Sequence, residues 1–391
     1  MKPKILMVLP SIPCSSSKGF EVIPYYRIIN LSEQYDISLA YIEGDSNDGQ
    51  KKEKLVKYID KFYSIKNNIF MKLRSLVSGI FLNIPLQVLL YSDKSIKLNI
   101  EKIIESNEFN IINFYMLRMT NLLPLKNLND ENVVIDYVDS MYLNFSRRIE
   151  KASFINKIIY KEEVRRLKIY ETKISERYKG VVVSNIDKDF LKGNTVSIPI
   201  GVDVSEFKPI KKITENKYIV FTGNMYYSPN NIAVLWFLKN CWVDIKKNNP
   251  NLEFYIAGNK PSHDVQFYDG KNGVKVLGRV DSMSEVIYNA CAAVAPMQSG
   301  SGMQFKILEA MSCGVPVITT NLGLGDIQAI EGQEILIADS SEDFIKAVNN
   351  ILNSKILTEN LSEKGRDLVL KYYSWESHCE KIIKIYRNIT D

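Results

Sequence analysis

The residues best suited to chemistry lie in one stretch of the second half of the chain, residues 296–320, which reads PMQSGSGMQFKILEAMSCGVPVITT. Its loop, built of Gly300, Ser301 and Gly302, leads into a predicted helix that runs from about Met303 to Ser312. The first turn of a helix carries unpaired backbone N–H groups and the positive end of the helix dipole. This loop and helix start therefore suit a phosphate or a pyrophosphate.

Two side chains of this helix add charge to that place. Lys306 and Glu309 are three residues apart, so they share a face of the helix. A lysine one turn into the helix can neutralise phosphate charge, and a carboxylate farther along can accept two hydrogen bonds from adjacent sugar hydroxyls. The pair predicts a site that holds a nucleotide sugar. The plain alternative is a solvent-facing pair on a surface helix, which is common and contributes little.

The elements that must position these residues alternate regularly. Short β-branched runs alternate with longer helical segments, a pattern typical of βαβ units and a parallel sheet. A polar tract with prolines and a glycine, residues 198–215, predicts a linker and a domain boundary near residue 205. We therefore expect two doubly wound α/β domains, in which ligands bind beyond the carboxyl ends of the strands. The predicted strands are residues 4–9, 37–42, 110–115, 133–138, 180–184, 218–222, 252–257, 274–277, 292–295, 315–319 and 335–337.

Composition excludes several classes of protein. A chain of 391 residues, 46% hydrophobic and 24% charged, has material for two ordinary domains and is neither disordered nor fibrous. The five cysteines form no C-x-x-C pair, which disfavours a zinc cluster or a disulfide framework and favours a reducing cytoplasm. The chain has two histidines, His263 and His378, which disfavours a mechanism that needs a His-rich metal site.

The order of motifs along the chain resembles a known family. Residues 300–311, with GVPV at 314–317, resemble the donor-site signature of family 4 retaining glycosyltransferases with the GT-B fold. They are most similar to the bacterial polysaccharide-type sugar transferases, whose version reads GSG-x-x-x-K-x-LEAM. The resemblance covers essentially the whole chain. Further matches are GVD-x-x-x-F-x-P at 201–209, FTGNM at 221–225 followed by PN at 229–230, VLGRV at 276–280 and SWE at 374–376.

The resemblance implies an architecture and a reaction. Two Rossmann-like doubly wound domains would face each other across a cleft, where the reaction takes place. Residues 1–205 with a C-terminal crossover helix at 372–391 would bind the acceptor, and residues 206–371 would bind the nucleotide-sugar donor. Transfer would retain the configuration of the anomeric carbon and need no metal or other cofactor. Cations and helix N-terminal amides would stabilise the leaving diphosphate, and no residue is a convincing nucleophile.

The resemblance also implies roles for residues of the second domain. Glu309 resembles the family's ribose-binding glutamate, and Lys306 resembles its phosphate cation and is the first catalytic candidate. Arg279 and its neighbours would line the base pocket. The donor-binding candidates of this domain are Gly223, Arg279, Gly300, Ser301, Gly302, Met303, Lys306 and Glu309. Lys18 and Gly19 of the first domain are added to them as a second place for phosphate.

Two positions depart from the family's pattern. Ser301 stands eight residues before Glu309, where the broader family often has a glutamate that contacts the donor sugar, so the identity of the sugar stays open. Asn224 stands where the broader family often has an arginine, which leaves more of the charge neutralisation to Lys306.

The first domain supplies the remaining candidates. The serine-rich loop that ends at Lys18 and Gly19 is either a second phosphate site, with Arg27 as a helper, or simply a turn. Arg118, where many relatives have a histidine, is either an electrostatic catalytic group or half of a structural ion pair. Asp139 either contacts the acceptor hydroxyl, as a catalytic residue, or caps the following helix.

A basic run predicts a surface for the acceptor. Residues 147–179 hold eleven Lys or Arg against five Glu, with apolar residues interleaved as in an amphipathic helix. The run is either a solvated helix face or a docking face for an anionic membrane, which a lipid-linked acceptor favours. The uncharged residues 76–91 would help docking but are too few to span a bilayer. Nucleic acid is disfavoured as a partner, because the run has no aromatic stacking pattern and no recognised module.

These expectations combine into one function. We expect a retaining hexosyltransferase, cytoplasmic or peripheral on the inner face of the cell membrane, that uses a UDP- or GDP-type sugar donor. Its acceptor would be a lipid-linked or oligosaccharide intermediate of a capsule, O-antigen or exopolysaccharide. The alternatives are a non-catalytic subunit of the same fold, which Ser301 and Asn224 would suit, and a sugar-nucleotide epimerase, which would need more catalytic carboxylates and histidines.

Overall fold

The computed structural model describes residues 2–15, 19–44, 47–79, 82–124, 128–149, 153–210, 217–300 and 303–390. The chain divides into two compact units. The first comprises Met1–Pro199 and His378–Asp391, and the second comprises Ile200–Ser377. These divisions lie a few residues from the limits of 205 and 371 given by the sequence.

The first unit is built on one parallel sheet. Its strands are β1 (Lys4–Leu9), β2 (Asp36–Ile42), β3 (Lys61–Ile65), β4 (Ile111–Tyr115), β5 (Val133–Val138), β6 (Lys179–Val182) and β7 (Thr195–Ser197). They lie in the order β3-β2-β1-β4-β5-β6-β7. β1, β4 and β5 are almost wholly buried apolar runs, as expected for parallel strands that helices cover on both faces.

Helices of the first unit connect these strands. They are α1 (Gly19–Leu31), α2 (Asp48–Leu55), α3 (Ile69–Gly79), α4 (Leu86–Leu89), α5 (Lys94–Glu105), α6 (Met141–Ile149), α7 (Phe154–Arg177) and α8 (Asn185–Leu191). Two 3-10 helices, Leu117–Leu122 and Asp130–Asn132, lie between β4 and β5 in the chain. The predicted basic run therefore falls on the end of α6 and on α7.

The second unit repeats the plan with six parallel strands. They are β8 (Tyr218–Thr222), β9 (Glu253–Ala257), β10 (Val274–Gly278), β11 (Ala292–Ala295), β12 (Val317–Thr319) and β13 (Leu336–Ile337). Their order is β10-β9-β8-β11-β12-β13. Aromatic rings fill its core, where Phe237 lies 5.1 Å from Phe254 and 5.7 Å from Phe344, centroid to centroid.

Helices of the second unit complete the chain. They are α9 (Ser228–Phe237), α10 (Val243–Asn248), α11 (His263–Gln266), α12 (Met283–Tyr288), α13 (Phe305–Ser312), α14 (Asn321–Leu324), α15 (Ser341–Asn353), α16 (Lys355–Tyr372) and α17 (Trp375–Thr390). A π-helical segment, Leu238–Trp242, joins α9 to α10. α17 begins in the second unit, and its residues from His378 onward belong to the first.

The two sheets confirm the predicted α/β class with two doubly wound units. Two short strands were not predicted. β3 reads KFYSI and β7 reads TVS, and both lie at sheet edges, where polar and half-exposed side chains replace the continuous apolar pattern. β12 begins at Val317 rather than at residue 315, since Pro316 has no N–H to contribute to the ladder.

Each sheet has a point where the strand order reverses, and ligands of such sheets bind there, beyond the strand carboxyl ends. In the first unit the reversal lies between β1 and β4, and in the second between β8 and β11. The loops that follow these four strands therefore hold the candidate sites.

No helix in the described part of the chain is both long and apolar enough to cross a membrane. The uncharged residues 76–91 instead include the end of α3 and all of α4.

Candidate functional site

Lys306 lies in the first turn of α13, at the strand-order reversal of the second sheet. Its Nζ donates a hydrogen bond to Asn230 Oδ1, lies 3.6 Å from Met297 Sδ and lies 4.4 Å from the centroid of the Phe221 ring. Asn230 is fixed in turn, because its Nδ2 donates to Asn224 O at 2.8 Å. The cation is therefore held in place by an amide, a thioether and a ring, none of which carries a charge.

Burial brings the pKa values of Lys306 and Glu309 close to neutral pH. It lowers the pKa of Lys306 to about 7, against the opposing effect of Glu309. Burial also raises the pKa of Glu309 to about 7, and Glu206 adds to this rise while Lys306 opposes it. A phosphate beside Lys306 would favour its charged form, since a neighbouring opposite charge raises the pKa of an amine.

Glu309 lies one turn after Lys306, and its carboxyl group is available for a ligand. No hydrogen-bond donor from the described part of the chain acts on its pKa. Glu206, which approaches from the 201–209 motif, was not predicted as a neighbour; its own pKa is raised by burial and by Asp203. A ligand hydroxyl can therefore donate to Glu309 without displacing a protein donor from the described residues.

Glycines leave the floor of this site without side chains. Gly223 N donates to Ala257 O at 3.0 Å, and Gly258 N donates to Gly278 O at 2.7 Å. A Cβ on Gly258 would lie 1.8 Å from Gly223 O, and one on Gly223 would lie 3.2 Å from Lys306 Nζ. The backbone segments that follow β8, β9 and β10 are therefore packed closely against one another. Gly258 was missed in the sequence, because no motif marks it.

Gly300, the described glycine of the loop before α13, lies against the loop that follows β8. A Cβ on Gly300, whose φ is 115°, would lie 3.4 Å from both Tyr227 Oη and Pro229 Cβ. Beside it, the buried Ser299 Oγ has no hydrogen-bond partner among the described residues. Since Pro229 immediately precedes Asn230, the partner of Lys306, Gly300 lies near the residues that hold the lysine.

The interdomain motif at 201–209 holds the far end of α13. Phe207 O accepts a hydrogen bond from Ser312 Oγ and lies 3.5 Å from Arg366 Nη1, which also donates to Ser312 O. A Cβ on Gly314 would lie 3.3 Å from Pro209 Cγ. The phenylalanine and the proline of this motif thus lie beside the C-terminus of α13, the helix that carries Lys306 and Glu309.

The structure brings most donor-binding candidates of the second unit to the carboxyl ends of the strands of the second sheet. Arg279 is exposed directly after β10, and Met303 is half-buried just before α13. Ser301 and Gly302 lie outside the described residues, as does Lys18 in the first unit. Gly19 is the first residue of α1.

Backbone strain marks the corresponding edge of the first sheet. Met116, directly after β4, and Val138, the last residue of β5, both have φ of 67°, a conformation that costs a bulky residue about 1–3 kcal/mol. Two residues beyond Met116 lies Arg118, whose buried Nε has no hydrogen-bond partner among the described residues. Asp139 directly follows Val138. Strained residues thus precede both catalytic candidates of this unit.

Asp139 has an unusual environment for a carboxyl group. Burial raises its pKa to about 6, and Asp187 adds to the rise, while a hydrogen bond from Asn144 and the charges of Arg118 and Arg148 oppose it. The Asn144 amide donates to Asp139 Oδ2 at 2.6 Å. Arg118 is therefore close enough to Asp139 to stabilise its anion.

The alternative role for Asp139, as a helix cap, is wrong. The N-terminus of α6 is capped by Ser140, whose Oγ accepts from Leu143 N at 3.2 Å, and by Glu171, which accepts from Met141 N at 2.7 Å. Because these two residues satisfy the helix N–H groups, the Asp139 carboxylate is directed to Asn144 instead.

Arg27, expected as a phosphate helper near Lys18, is instead buried. Its Nη1 forms an ion pair with Asp136, and its Nε donates to His378 Nε2 at 2.8 Å. Because Nε2 accepts, the proton of His378 lies on Nδ1, which donates to Pro199 O at 2.6 Å. Burial lowers the pKa of His378 well below its usual range. Arg27 therefore belongs to a structural cluster.

The described residues contain no group of three or more His, Cys, Asp or Glu side chains arranged to hold a metal ion.

Residues 216–354 match the family model described as Glycosyl transferases group 1. An uncharacterized 44.6 kDa protein in the cps region of Klebsiella pneumoniae is 24% identical over 363 residues, which cover 89% of this chain and 90% of that protein. These matches confirm the resemblance to family 4 glycosyltransferases.

Solved structures confirm the GT-B fold. Sucrose-phosphate synthase from Thermosynechococcus elongatus superposes with a TM-score of 0.69 at 15% identity and covers 99% of each chain. HepE from Anabaena, in complex with UDP-glucose, superposes with a TM-score of 0.64 at 13% identity and covers 98% of this chain and 99% of that one.

Proposed function

We propose that the protein is a retaining glycosyltransferase that moves a sugar from a nucleoside-diphosphate donor to a lipid-linked intermediate of a bacterial surface polysaccharide. One observation carries the proposal: Lys306, held by neutral partners, and Glu309, with an available carboxyl group, lie on α13 at the strand-order reversal of the second sheet. The match to group 1 glycosyl transferases and the relative from a cps region support it.

The donor binds in three parts. The diphosphate lies at the N-terminus of α13, where backbone N–H groups and the ammonium of Lys306 neutralise it. The ribose hydroxyls donate to Glu309, and the base lies over the glycine floor beside Arg279. UDP is the first candidate nucleotide, because the solved structure of Anabaena HepE with a similar fold contains UDP-glucose.

In the transfer step the bond between the anomeric carbon and the phosphate oxygen breaks, and its electron pair leaves with the diphosphate. The acceptor hydroxyl oxygen bonds to the anomeric carbon on the same face, and its proton passes to a phosphate oxygen of the leaving group. Negative charge grows on the diphosphate, so Lys306 and the α13 amides stabilise the transition state. No metal or other cofactor takes part in the proposed step.

The acceptor binds at the first sheet. Asp139 orients the acceptor hydroxyl by accepting its hydrogen bond, and Arg118 holds Asp139 in its anionic form. The strained backbone at Met116 and Val138 supports this assignment, since strain of this kind clusters at functional sites.

A nucleotide screen tests the proposal. We expect UDP, among UDP, GDP, ADP and CMP, to raise the melting temperature of the wild-type protein, because a ligand that binds only the folded state stabilises it. Glu309→Ala should lose most of this shift, since the ribose hydrogen bonds are gone. The matched control is Glu285→Ala, an exposed glutamate on α12 of the same unit, which should keep the shift.

Either of two results would count against the proposal. Equal shifts in wild type and Glu309→Ala would remove the assigned ribose contact. No shift with any of the four nucleotides would favour a non-catalytic subunit of the same fold.

A further inference from the structure

Helix α3 presents apolar side chains to solvent as well as to the core. Phe70, Leu73 and Val77 recur at helical spacing on one face, and they are 78%, 52% and 72% exposed. Ile69, which precedes them, is 63% exposed. A surface helix of a water-soluble unit normally carries polar residues on this face, so the outer face of α3 is unusual.

The opposite face of α3 anchors the helix to the first unit. Ser75 and Gly79 are buried there, and a Cβ on Gly79 would lie 2.2 Å from Leu89 Cδ2 of α4. Arg74 forms a two-point ion pair with Asp93, which is the N-cap of α5. The outer apolar face is therefore held in a fixed orientation.

The first turns of α7 carry a second group of exposed apolar side chains. Ile155, Ile158 and Ile159 are 72%, 60% and 46% exposed. Farther along α7, Glu163 accepts from the N–H of Leu86, the first residue of α4, at 2.8 Å, and Arg165 donates to Asn83 Oδ1 at 2.9 Å. These contacts join the middle of α7 to residues that follow α3.

The sequence around these exposed apolar residues is basic. The sequence from Lys66 to Ser92 contains no acidic residue, and neither does the sequence from Ser153 to Lys161. Lysines at 66, 72, 157 and 161 border the exposed apolar residues. Apolar side chains bordered by cations match a bilayer that has an apolar interior and an anionic surface.

The first unit also contains a cavity that includes residues following α3 in its lining. Its volume is about 390 Å³, and its lining is mainly apolar, with Leu82, Ile84, Ile169 and Tyr178 among the contributing side chains. Lys97 and Lys173 are cations in the same lining. Leu82, three residues after the end of α3, is itself 55% exposed.

We propose that the outer face of α3, with the first turns of α7, docks the first unit onto an anionic lipid bilayer. The helix lies in the plane of the interface, since its 11 residues are too few to span a bilayer. Phe70, Leu73 and Val77 enter the acyl boundary, while the lysines contact lipid headgroups. This inference rests on the proposed function, because a membrane-held acceptor is what docking would serve.

Vesicle flotation of the full chain tests this surface. The wild-type protein should float with vesicles of phosphatidylcholine and phosphatidylglycerol, but not with vesicles of phosphatidylcholine alone. Binding should weaken as salt is added, because screening reduces attraction at a charged surface. Phe70→Ser/Val77→Ser should lower vesicle partitioning by at least about tenfold, since two apolar side chains no longer enter the interface.

Two further variants make the result specific. Lys157→Ser/Lys161→Ser should lower binding to the anionic vesicles only. The matched control Ile330→Ser/Ile356→Ser removes two exposed isoleucines from the second unit, which are 56% and 82% exposed, and should bind vesicles like the wild type. All three variants should keep the thermal shift with UDP, because none touches the second-unit site.

The inference is overturned if wild type does not float with anionic vesicles, or if Phe70→Ser/Val77→Ser floats equally well. It is also overturned if the surface instead joins two copies of the chain, seen as a dimer in sedimentation velocity that the α3 variant dissociates without any vesicle binding. A retained UDP shift in those cases would leave the proposed function standing, whereas loss of the UDP shift in wild type would count against the function itself.

Discussion

Lys306 is a cation whose position depends on neutral neighbours. Its Nζ contacts the Asn230 amide, the Met297 sulfur and the Phe221 ring. None of these three contacts carries a negative charge. The sequence predicted Lys306 and Glu309 as a pair, because both lie on one predicted helix. It gave no sign that Asn230 would hold the lysine, since these residues lie 76 positions apart and only folding brings them together.

The affinity for UDP should be highest near neutral pH. Binding needs Lys306 protonated and Glu309 ionised, and the pKa of each is about 7 in the free protein. Above this value the lysine loses its proton, and below it the carboxylate gains one, so affinity should fall by up to about tenfold per pH unit on either side. Calorimetric titration of UDP between about pH 5.5 and about pH 9, a range that brackets both pKa values, measures this dependence.

Two variants separate the alkaline and the acid decline of the affinity for UDP. Lys306→Arg keeps its charge at high pH, so it should lose the alkaline decline. Glu309→Gln should bind more weakly at neutral pH and lose its share of the acid decline, while the second ionisation of the phosphate still contributes for every variant. A profile that neither variant alters would contradict the assigned charges.

Helix α13 shows which features of an element can be predicted locally. Its glycine loop, its helical stretch and the stop at Cys313 and Gly314 follow from neighbouring residues, and the structure has the helix at Phe305–Ser312. What fixes its C-terminus comes from elsewhere: Phe207 and Arg366, which are distant in sequence. The edge strand Lys61–Ile65 was missed for a related reason, because its burial depends on a neighbouring strand rather than on its own pattern.

Removing the side chain that holds this helix end should destabilise the second unit. Arg366→Ala leaves the carbonyl groups of Phe207 and Ser312 without this donor and removes a cation from a helix C-terminus, at a cost of about 1–3 kcal/mol. The exposed Lys364→Ala on the same helix should change stability by less than about 0.5 kcal/mol. Urea unfolding of the two variants measures the difference, and equal midpoints would show that Arg366 does not hold the helix.

At the scale of the whole molecule, the chain leaves the first unit after Pro199 and returns to it at His378. His378 Nδ1 donates a hydrogen bond to Pro199 O, and His378 Nε2 accepts one from Arg27 Nε. Arg27 in turn forms an ion pair with Asp136. The alternation of strands and helices and the two-unit plan could be predicted, because each follows from local periodicity and turn signals. The buried cluster could not, since Arg27 and His378 lie 351 residues apart.

This cluster predicts how stability depends on pH. Burial holds the pKa of His378 in the folded protein well below its usual value of about 6.5. As pH falls below about 6.5, the unfolded chain gains a proton at this residue that the folded protein does not. His378 therefore contributes a decrease of up to about 1.4 kcal/mol per pH unit to the free energy of unfolding.

Urea unfolding at neutral and mildly acidic pH measures this slope. His378→Gln removes the titrating group and should flatten the slope, although it lowers stability at every pH. His263→Gln, in the second unit, is the matched control and should keep the slope of the wild type. Identical slopes in all three proteins would remove His378 as the cause.

The central claim is that α13 binds the diphosphate of a nucleotide, and a crystal structure of the protein with UDP tests it most directly. We expect the phosphate oxygens within hydrogen-bond distance of Lys306 Nζ and of the backbone N–H groups at the start of α13, with the ribose hydroxyls on Glu309. UDP bound elsewhere, with Lys306 Nζ still on Asn230 and no ligand contact to Glu309, would contradict the account.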